Sequence, residues 1–335
     1  SAYWKFAAKI RKWHRLRKRK RPVYRLLLIF TAIMSSSGLQ CVCCGSKSFK
    51  PTPYYYHWHN KEFILTACRN CGLITMDPKP TDEELGLLYA DEYFETGQHG
   101  LNKLNMTYEQ GQDKNSAELR KQTVKQNILA YKPDTKSLFE IGFAMGHILS
   151  AARDLGLEIG GIEFSPMAVS KAKEKFNIDA LCGNFETIDL SAHEGKWDCV
   201  YGGDVFEHFI HPDKVVTNMH RILKDNGVAI VIVPSTFNLF STYIATALFR
   251  LMGKRKKFYD KPYHVFEYTP STIKKMFLKE FREVQVVNRI KKPGQLNMKT
   301  GGFEYKIKYL IHFINYPFTR MFNRNGDRLL VIARK

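Results

Sequence analysis

The sequence predicts an α/β fold: a parallel sheet covered by helices on both faces, preceded by a small cysteine-bearing module. Three observations carry this. From Ser137 to Lys335 short apolar segments alternate with helix-like ones, which is the pattern of successive βαβ units. The first apolar segment runs into FEIGFAMGH, an acid and two glycines at a strand-to-helix turn, and the next ends on Glu163. Upstream, two CxxCG turns begin at Cys41 and at Cys68.

Taken in order, the cysteine segment runs from about Cys41 to Met76, with short aromatic and β-branched runs between turn residues. A polar bridge follows, in which Asp-Glu-Glu after Thr81 reads as a capped helix start. Residues 115–132 are helical in pattern. SLFEIG is then a strand, HILSAARDLG a helix, LEIGGIEF a strand, SPMAVSKAKEKF a helix and DALCG a strand. WDCVYGG, HPDKVVTNMHRILKD and GVAIVIVP repeat the alternation. Continuous apolar strands of this kind belong to a sheet buried on both faces. Right-handed crossovers then place the strand C-terminal ends along one ligand-binding edge.

After the fifth strand the alternation breaks at residues 236–269, where an apolar helix-like run ends in the basic cluster KRKK. An insertion here sits over the strand-end edge and is a candidate lid. TPSTIKKMFLKE, EVQVVNRI and DRLLVIARK then supply a helix and two strands. The expected organisation is a basic and apolar tail at 1–34, a ribbon at 35–80, a helical linker and cofactor cover at 81–136, and the catalytic domain at 137–335.

The 335 residues carry a formal charge of +20, but 1–34 alone contain five Lys, six Arg and no acid. The excess is largely a tail property, and the remaining chain is basic without being a dense phosphate-binding surface. The tail joins a basic run to LLLIFTAIM, too short to span a bilayer. It reads as an interfacial anchor, as a targeting segment, or as sequence upstream of a start at Met34. The anchor reading predicts peripheral contact with the inner face of the membrane.

Five of the seven cysteines lie between 41 and 71. Clustering of this kind points to a metal in a reducing, cytoplasmic compartment rather than a disulfide framework. Cys41, Cys44, Cys68 and Cys71 can surround Zn²⁺ tetrahedrally. Such a closed four-sulfur site leaves no open position, so its role is structural. Cys43 is the spare thiol, unless it replaces 41 or 44. His57 and His59 read as strand residues among aromatics, with metal ligation as the alternative.

The turn holding Glu140, Gly142 and Gly146 lacks the GxGxxG spacing. Its weight comes from conjunction with Glu163, a carboxylate placed to accept hydrogen bonds from two ribose hydroxyls. FEIGFAMGH, GIEFSP, CGNFE and WDCVYGGDVFEHFIHPDKVVTNMHRILKDNGVAIVIVPS together resemble the successive motifs of Rossmann-like class I methyltransferases, over roughly Ser137 to Lys335.

That resemblance implies S-adenosylmethionine as cofactor. Glu140, Gly142 and Gly146 would cradle its methionine part and Glu163 its ribose. Asn184, in place of the more usual acid, and Phe185 would flank the adenine, and Asp204 would close the methionine side. Ala144 stands where the family commonly has glycine, and its methyl disfavours positive φ. The spacing of CVCCGS and CRNCGLITMDPKPTDEELGLLYADEYFE is similar to ribbon-bearing methyltransferases of bacterial surface-sugar and small-metabolite pathways.

Methyl transfer to a hydroxyl needs alignment and proton removal. His208, just past the fourth strand, and His264, at the end of the insertion, are the candidate bases, each also readable as a structural histidine. Glu207 orients the neighbouring chain or binds a metal beside the acceptor. Tyr89 and Tyr93 read as covering the cofactor or as packing between domains.

The expected partner is therefore a small-molecule acceptor, a hydroxyl of a sugar, glycolipid or lipid-pathway intermediate. A nucleic-acid methyltransferase is the second reading, suggested by charge and ribbon. The fourth strand leads into GGDVFEH rather than an NPPY-type turn, which weighs against it. A non-enzymatic ribbon protein with a vestigial cofactor fold is the third. Oligomeric state and the O-, C- or N-selectivity are left open by the sequence.

Overall fold

The structure is a computed structural model describing residues 38–89, 117–259, 261–292 and 303–335. The basic tail with its proposed membrane contact, and Tyr93, lie outside the described residues.

Strands β1 (Phe49–Trp58), β2 (Lys61–Cys68) and β3 (Ile74–Asp77) form an antiparallel meander. The β1–β2 turn is carried by His59 and Asn60, both at positive φ, as a tight hairpin requires. Helix α1 (Asp82–Leu88) follows. It starts as the sequence predicts, with Thr81 and Glu84 forming a reciprocal capping box. α2 (Ala117–Val124) continues through a π-turn to Leu129.

The second sheet holds β4 (Ser137–Ile141), β5 (Glu158–Glu163), β6 (Leu181–Cys182), β7 (Trp197–Gly203), β8 (Leu223–Pro234), β11 (Glu283–Arg289) and β12 (Arg328–Arg334). Their order is β11-β12-β8-β7-β4-β5-β6. From β8 to β6 all neighbours are parallel. Every residue of β4 is buried, as a central strand covered on both faces must be.

The crossover helices are α3 (His147–Asp154), α4 (Pro166–Phe176), α5 (Pro212–Ile222) and α7 (Pro270–Phe277). α4, α5 and α7 each begin with proline, which has no N–H to leave unsatisfied there. The Ser165 hydroxyl caps α4 and the Thr269 hydroxyl caps α7, each worth about 1 kcal/mol.

The sheet is not wholly parallel. β12 runs antiparallel to both β8 and β11. The cause is α8 (Phe303–Phe322), a helix that the sequence reading did not anticipate. The chain leaves β11 at its C-terminal end, forms α8 there, and re-enters beside Pro234 and Arg289, the C-terminal ends of β8 and β11. Asn238, Asn288 and Gly326 lock this corner through a buried hydrogen-bonded set. DALCG, expected as a strand, contributes only the two residues of β6.

The insertion carries α6 (Phe240–Met252) and two short strands, β9 (Lys256–Lys257) and β10 (Phe266–Glu267). These strands close opposite edges of the N-terminal sheet, giving the order β10-β3-β2-β1-β9. The two sheets are thereby joined, and the apolar core runs on from Cys41, Cys68 and Leu73 to Phe206, Tyr268 and Phe277.

One carboxylate pins the N-terminal ends of the two central strands. Asp198 accepts from the Lys136 and Ser137 backbone N–H groups and from the Ser137 hydroxyl at 2.9–3.0 Å, and from Lys224 at 2.9 Å. Burial alone would raise its carboxyl, but Lys224 and these donors outweigh burial and hold it below the ordinary range. A folded-state value below the unfolded one stabilises fully above about pH 4, and the contribution is lost as pH falls through the folded value. Asp198→Asn is expected to cost about 1–2 kcal/mol at neutral pH. It should also flatten the acid limb of the stability curve, which urea unfolding at neutral and acid pH will check.

Candidate active site

The loop after β4 has the left-handed backbone that its glycines permit: φ is 67° at Gly142 and 77° at Gly146. A Cβ on Gly142 would lie 2.6 Å from Val205 Cγ2, so glycine is required there on two counts. Ala144 also takes a positive φ, 50°, a conformation costing an alanine roughly 1 kcal/mol. Its N–H donates to Glu163 Oε2 at 2.8 Å, while the Ser165 N–H donates to Oε1 at 3.0 Å. The Glu163 carboxylate is thus oriented by two backbone donors, with lone pairs remaining for further donors.

Glu140 is buried at the end of β4, and its Oε2 has no hydrogen-bond partner among the described residues. Burial and the neighbouring Glu163 push its carboxyl up to about 8. A buried acceptor left without a partner beside Glu163 fits a cationic or hydrogen-bond-donating group, and Glu163 fits a diol. These are the demands of the methionine and ribose parts of S-adenosylmethionine.

The other cofactor-side residues are more mixed. The Phe185 side chain is in the core against Phe139, with ring centroids 6.2 Å apart, which leaves its side chain no part in a ligand contact. Asn184 Oδ1 accepts from the Glu186 N–H at 2.9 Å and shapes the turn after β6. The Asp204 carboxylate is held by Arg328 Nη1 at 2.5 and 2.6 Å. Arg328, at the start of β12, had no signal in the sequence.

Three residues from Asp204 a second cluster of polar side chains begins. Glu207, 1% exposed, follows β7, and its backbone carbonyl accepts from the Val265 N–H at 2.9 Å. That bond anchors the insertion beside it. His264 Nδ1 donates to Glu267 Oε1 at 3.0 Å, and His264 Nε2 lies 3.9 Å from Glu207 Oε1. His208 Nδ1 donates to the Tyr263 carbonyl at 2.9 Å and its Nε2 lies 3.5 Å from the same Glu207 oxygen. Glu207, His208 and His264 thus offer three potential ligand atoms, all within 4.8 Å of one another.

The Oε2 atoms of Glu207 and Glu267 are buried without partners among the described residues. Burial pushes the Glu207 carboxyl up to about 8, opposed by His264. Burial disfavours His264 protonation, but the hydrogen bond to Glu267 and the charges of Glu267, Glu207 and Asp204 together outweigh it and raise the imidazole above its ordinary value.

Glu267 was not singled out from the sequence. The available signal was an acid three residues after His264 in HVFE, but its significance depends on the tertiary burial that brings Glu267 onto the His264 ring. Tyr89 joins the two halves. Its ring lies 6.0 Å from Phe164, next to Glu163, and 5.9 and 6.1 Å from His208 and Tyr263.

The four cysteines meet at one end of the N-terminal sheet. Sγ separations are 3.5 Å for Cys41–Cys71 and 3.6 Å for Cys44–Cys68, and all four sulfurs lie within 4.8 Å of one another. Gly45 and Gly72 sit at positive φ behind each turn. Cys43 Sγ points elsewhere, 3.7 Å from the Thr272 carbonyl. His57 is exposed on β1 and His59 in the following turn, outside the sulfur cluster.

A family model described as a methyltransferase domain matches residues 114–281, half of the chain. The chain belongs to this methyltransferase-domain family and is an enzyme of that class. No curated protein matches significantly in sequence. Among solved structures, a SAM-dependent methyltransferase from Archaeoglobus fulgidus is 16% identical, with TM-score 0.47, covering 68% of this chain and 99% of its own. A methyltransferase from Thermotoga maritima, described as a possible histamine N-methyltransferase, is 17% identical, with TM-score 0.45, covering 70% and 96%. A phosphoethanolamine N-methyltransferase from Haemonchus contortus, in complex with S-adenosyl-L-methionine, is 15% identical, with TM-score 0.41, covering 64% and 52%. Identities this low say nothing of substrate.

The strained Ala144 makes a direct test of the loop. Ala144→Gly is expected to stabilise the protein by about 0.5–1 kcal/mol, while Gly142→Ala should destabilise it by about 2 kcal/mol or more through the clash with Val205. Thermal unfolding of the two variants checks both signs.

Proposed function

We propose that the protein transfers the methyl group of S-adenosylmethionine to a hydroxyl of a small-molecule acceptor, a sugar, glycolipid or lipid-pathway intermediate of a bacterial pathway. The observation that carries this reading is the Glu267–His264 pair beside Glu207, at the C-terminal edge of the sheet that bears Glu140 and Glu163. Val205 touches the Gly142 position and stands two residues before Glu207, so cofactor loop and acid–base cluster are contiguous.

The cofactor supplies a methyl group on a cationic sulfur that leaves as a neutral thioether. Glu140 and the Gly142–Gly146 turn hold the methionine part, Glu163 holds the ribose, and the backbone at Asn184–Phe185 borders the adenine. Asp204, tied to Arg328, shapes the wall between the two halves. On the acceptor side His264 Nε2 takes the hydroxyl proton as the oxygen–methyl bond forms and the carbon–sulfur bond breaks. Glu267 holds the imidazole through Nδ1 and stabilises the imidazolium. His208, fixed by the Tyr263 carbonyl, and Glu207 position the acceptor.

We further propose that Cys41, Cys44, Cys68 and Cys71 bind a structural Zn²⁺. Four thiolates at Zn–S distances near 2.3 Å stand about 3.8 Å apart in a tetrahedron, and the separations across this cluster fit that spacing. In this reading residues 35–80 are a ribbon, 81–136 a linker and cofactor cover, and 137–335 the catalytic domain.

His264→Ala is expected to lower turnover by about 100-fold or more while S-adenosylmethionine still binds, and Glu267→Gln by a smaller factor. Tritiated methyl transfer into a small-molecule extract and, separately, into RNA measures this, and label appearing only in RNA would overturn the acceptor class. Metal analysis should find about one zinc per chain, lost in Cys68→Ser with Cys71→Ser. Undiminished zinc in that variant would refute the cysteine site.

A further inference from the structure

Among the described residues, twelve of the sixteen large apolar side chains left exposed lie on α6 and α8. On α6 these include Tyr243 and Leu248, and Leu251 is 85% exposed. On α8 they include Phe313, with Ile314 at 64% and Met321 at 72%. α6 has no buried residue in its thirteen, although its composition is mostly apolar. The two helices touch, so their exposed side chains form neighbouring parts of one surface. Apolar surface concentrated in this way marks a partner site, whereas exposed hydrophobes scattered singly do not.

Charge identifies the partner. From Phe240 to Phe258 the chain has five basic residues and no acid, and Arg250, Lys254 and Lys256 are exposed beside the apolar face. Arg320 and Arg324 are exposed at the end of α8. A two-fold contact between copies would set like charges against one another. An anionic bilayer surface receives both the apolar face and its basic flank, as interfacial helices require. Among the described residues no helix is long and apolar enough to cross a membrane, which suits helices that lie on the surface.

Placement ties this face to the site. α6 begins six residues after the end of β8 at Pro234, and α8 ends six residues before Arg328, the partner of Asp204. Both helices therefore stand at the strand C-terminal edge, and the chain leaving α6 runs on to His264.

We propose that the α6–α8 face docks on an anionic phospholipid surface and presents the acceptor edge of the site to it. The presentation of the acceptor edge rests on the proposed function, whereas the docking itself does not, because docking is read without turnover. The test is co-sedimentation of the full chain with vesicles of phosphatidylcholine alone and of phosphatidylcholine with phosphatidylserine. The variant Leu251→Ser, Ile314→Ser, Met321→Ser removes apolar side chains from exposed positions, and Arg250→Glu with Lys254→Glu reverses the flank charge. All keep the basic N-terminal tail, so loss of binding reports the face.

The expected result is preference for the anionic vesicles and a fall in affinity of about tenfold in each variant, with S-adenosylmethionine affinity in calorimetry unchanged. Should the serine variant fail to fold, the charge variant decides alone. Equal binding by wild type and variants, binding by none, or a dimer in light scattering that the serine variant dissolves would overturn the proposal.

Discussion

The two-residue pairing of β10 with β3 is the constraint on which the Glu207–His264–Glu267 cluster depends. Phe266 and Glu267 add to the edge of the N-terminal sheet, and Val265 immediately before them binds the Met76 N–H and the Glu207 carbonyl at once. That double attachment buries Glu207 and Glu267 against His264. Two carboxylates at 1% exposure are costly, and they are tolerated because imidazole groups stand between and beside them. The fold accepts an unfavourable burial at this cluster, as proteins commonly do at functional sites.

The N-terminal sheet therefore does more than precede the catalytic sheet. It receives β9 and β10 from the insertion on its two edges, docks its cysteine turns against α7 through Cys43 and the Lys279–Val42 bond, and places Tyr89 between Phe164 and His208. A metal holding the cysteine turns would stiffen the same body that carries His264. The Glu140–Glu163 pair needs none of this. Glu140, Gly142 and Glu163 are set by β4, β5 and the turn between sheet and α3, all of them local in sequence and central in the sheet.

This division explains what the sequence made legible. The loop after β4 could be read because its chemistry is contiguous: an acid, a turn and a helix start within seven residues, Glu140 to Gly146, with the second acid one βαβ unit later. The alternation of strands and helices could be read because buried parallel strands are uniformly apolar. β12 misled the parallel expectation because an apolar strand carries no mark of its direction. α8 escaped although Leu310, Phe313, Ile314, Phe318 and Met321 recur at helical spacing, because it carries Pro317 in its interior, where a helix disfavours it.

By itself, then, the sequence determined the α/β class, the glycine-bearing loop after β4 and the two cysteine turns, all of which follow from local periodicity and spacing. Tertiary structure decided the direction of β12, the burial of Phe185 in the core, the capture of Asp204 by Arg328 and the meeting of Glu207 with the His264–Glu267 pair. Each of those joins residues from separate elements, and Arg328 and Glu267 acquire their roles only once strand pairing has brought them beside distant partners. The exposed face of α6 and α8 belongs to the same category, since an apolar helix in a sequence predicts burial and only the packed molecule shows that nothing in its described residues covers it.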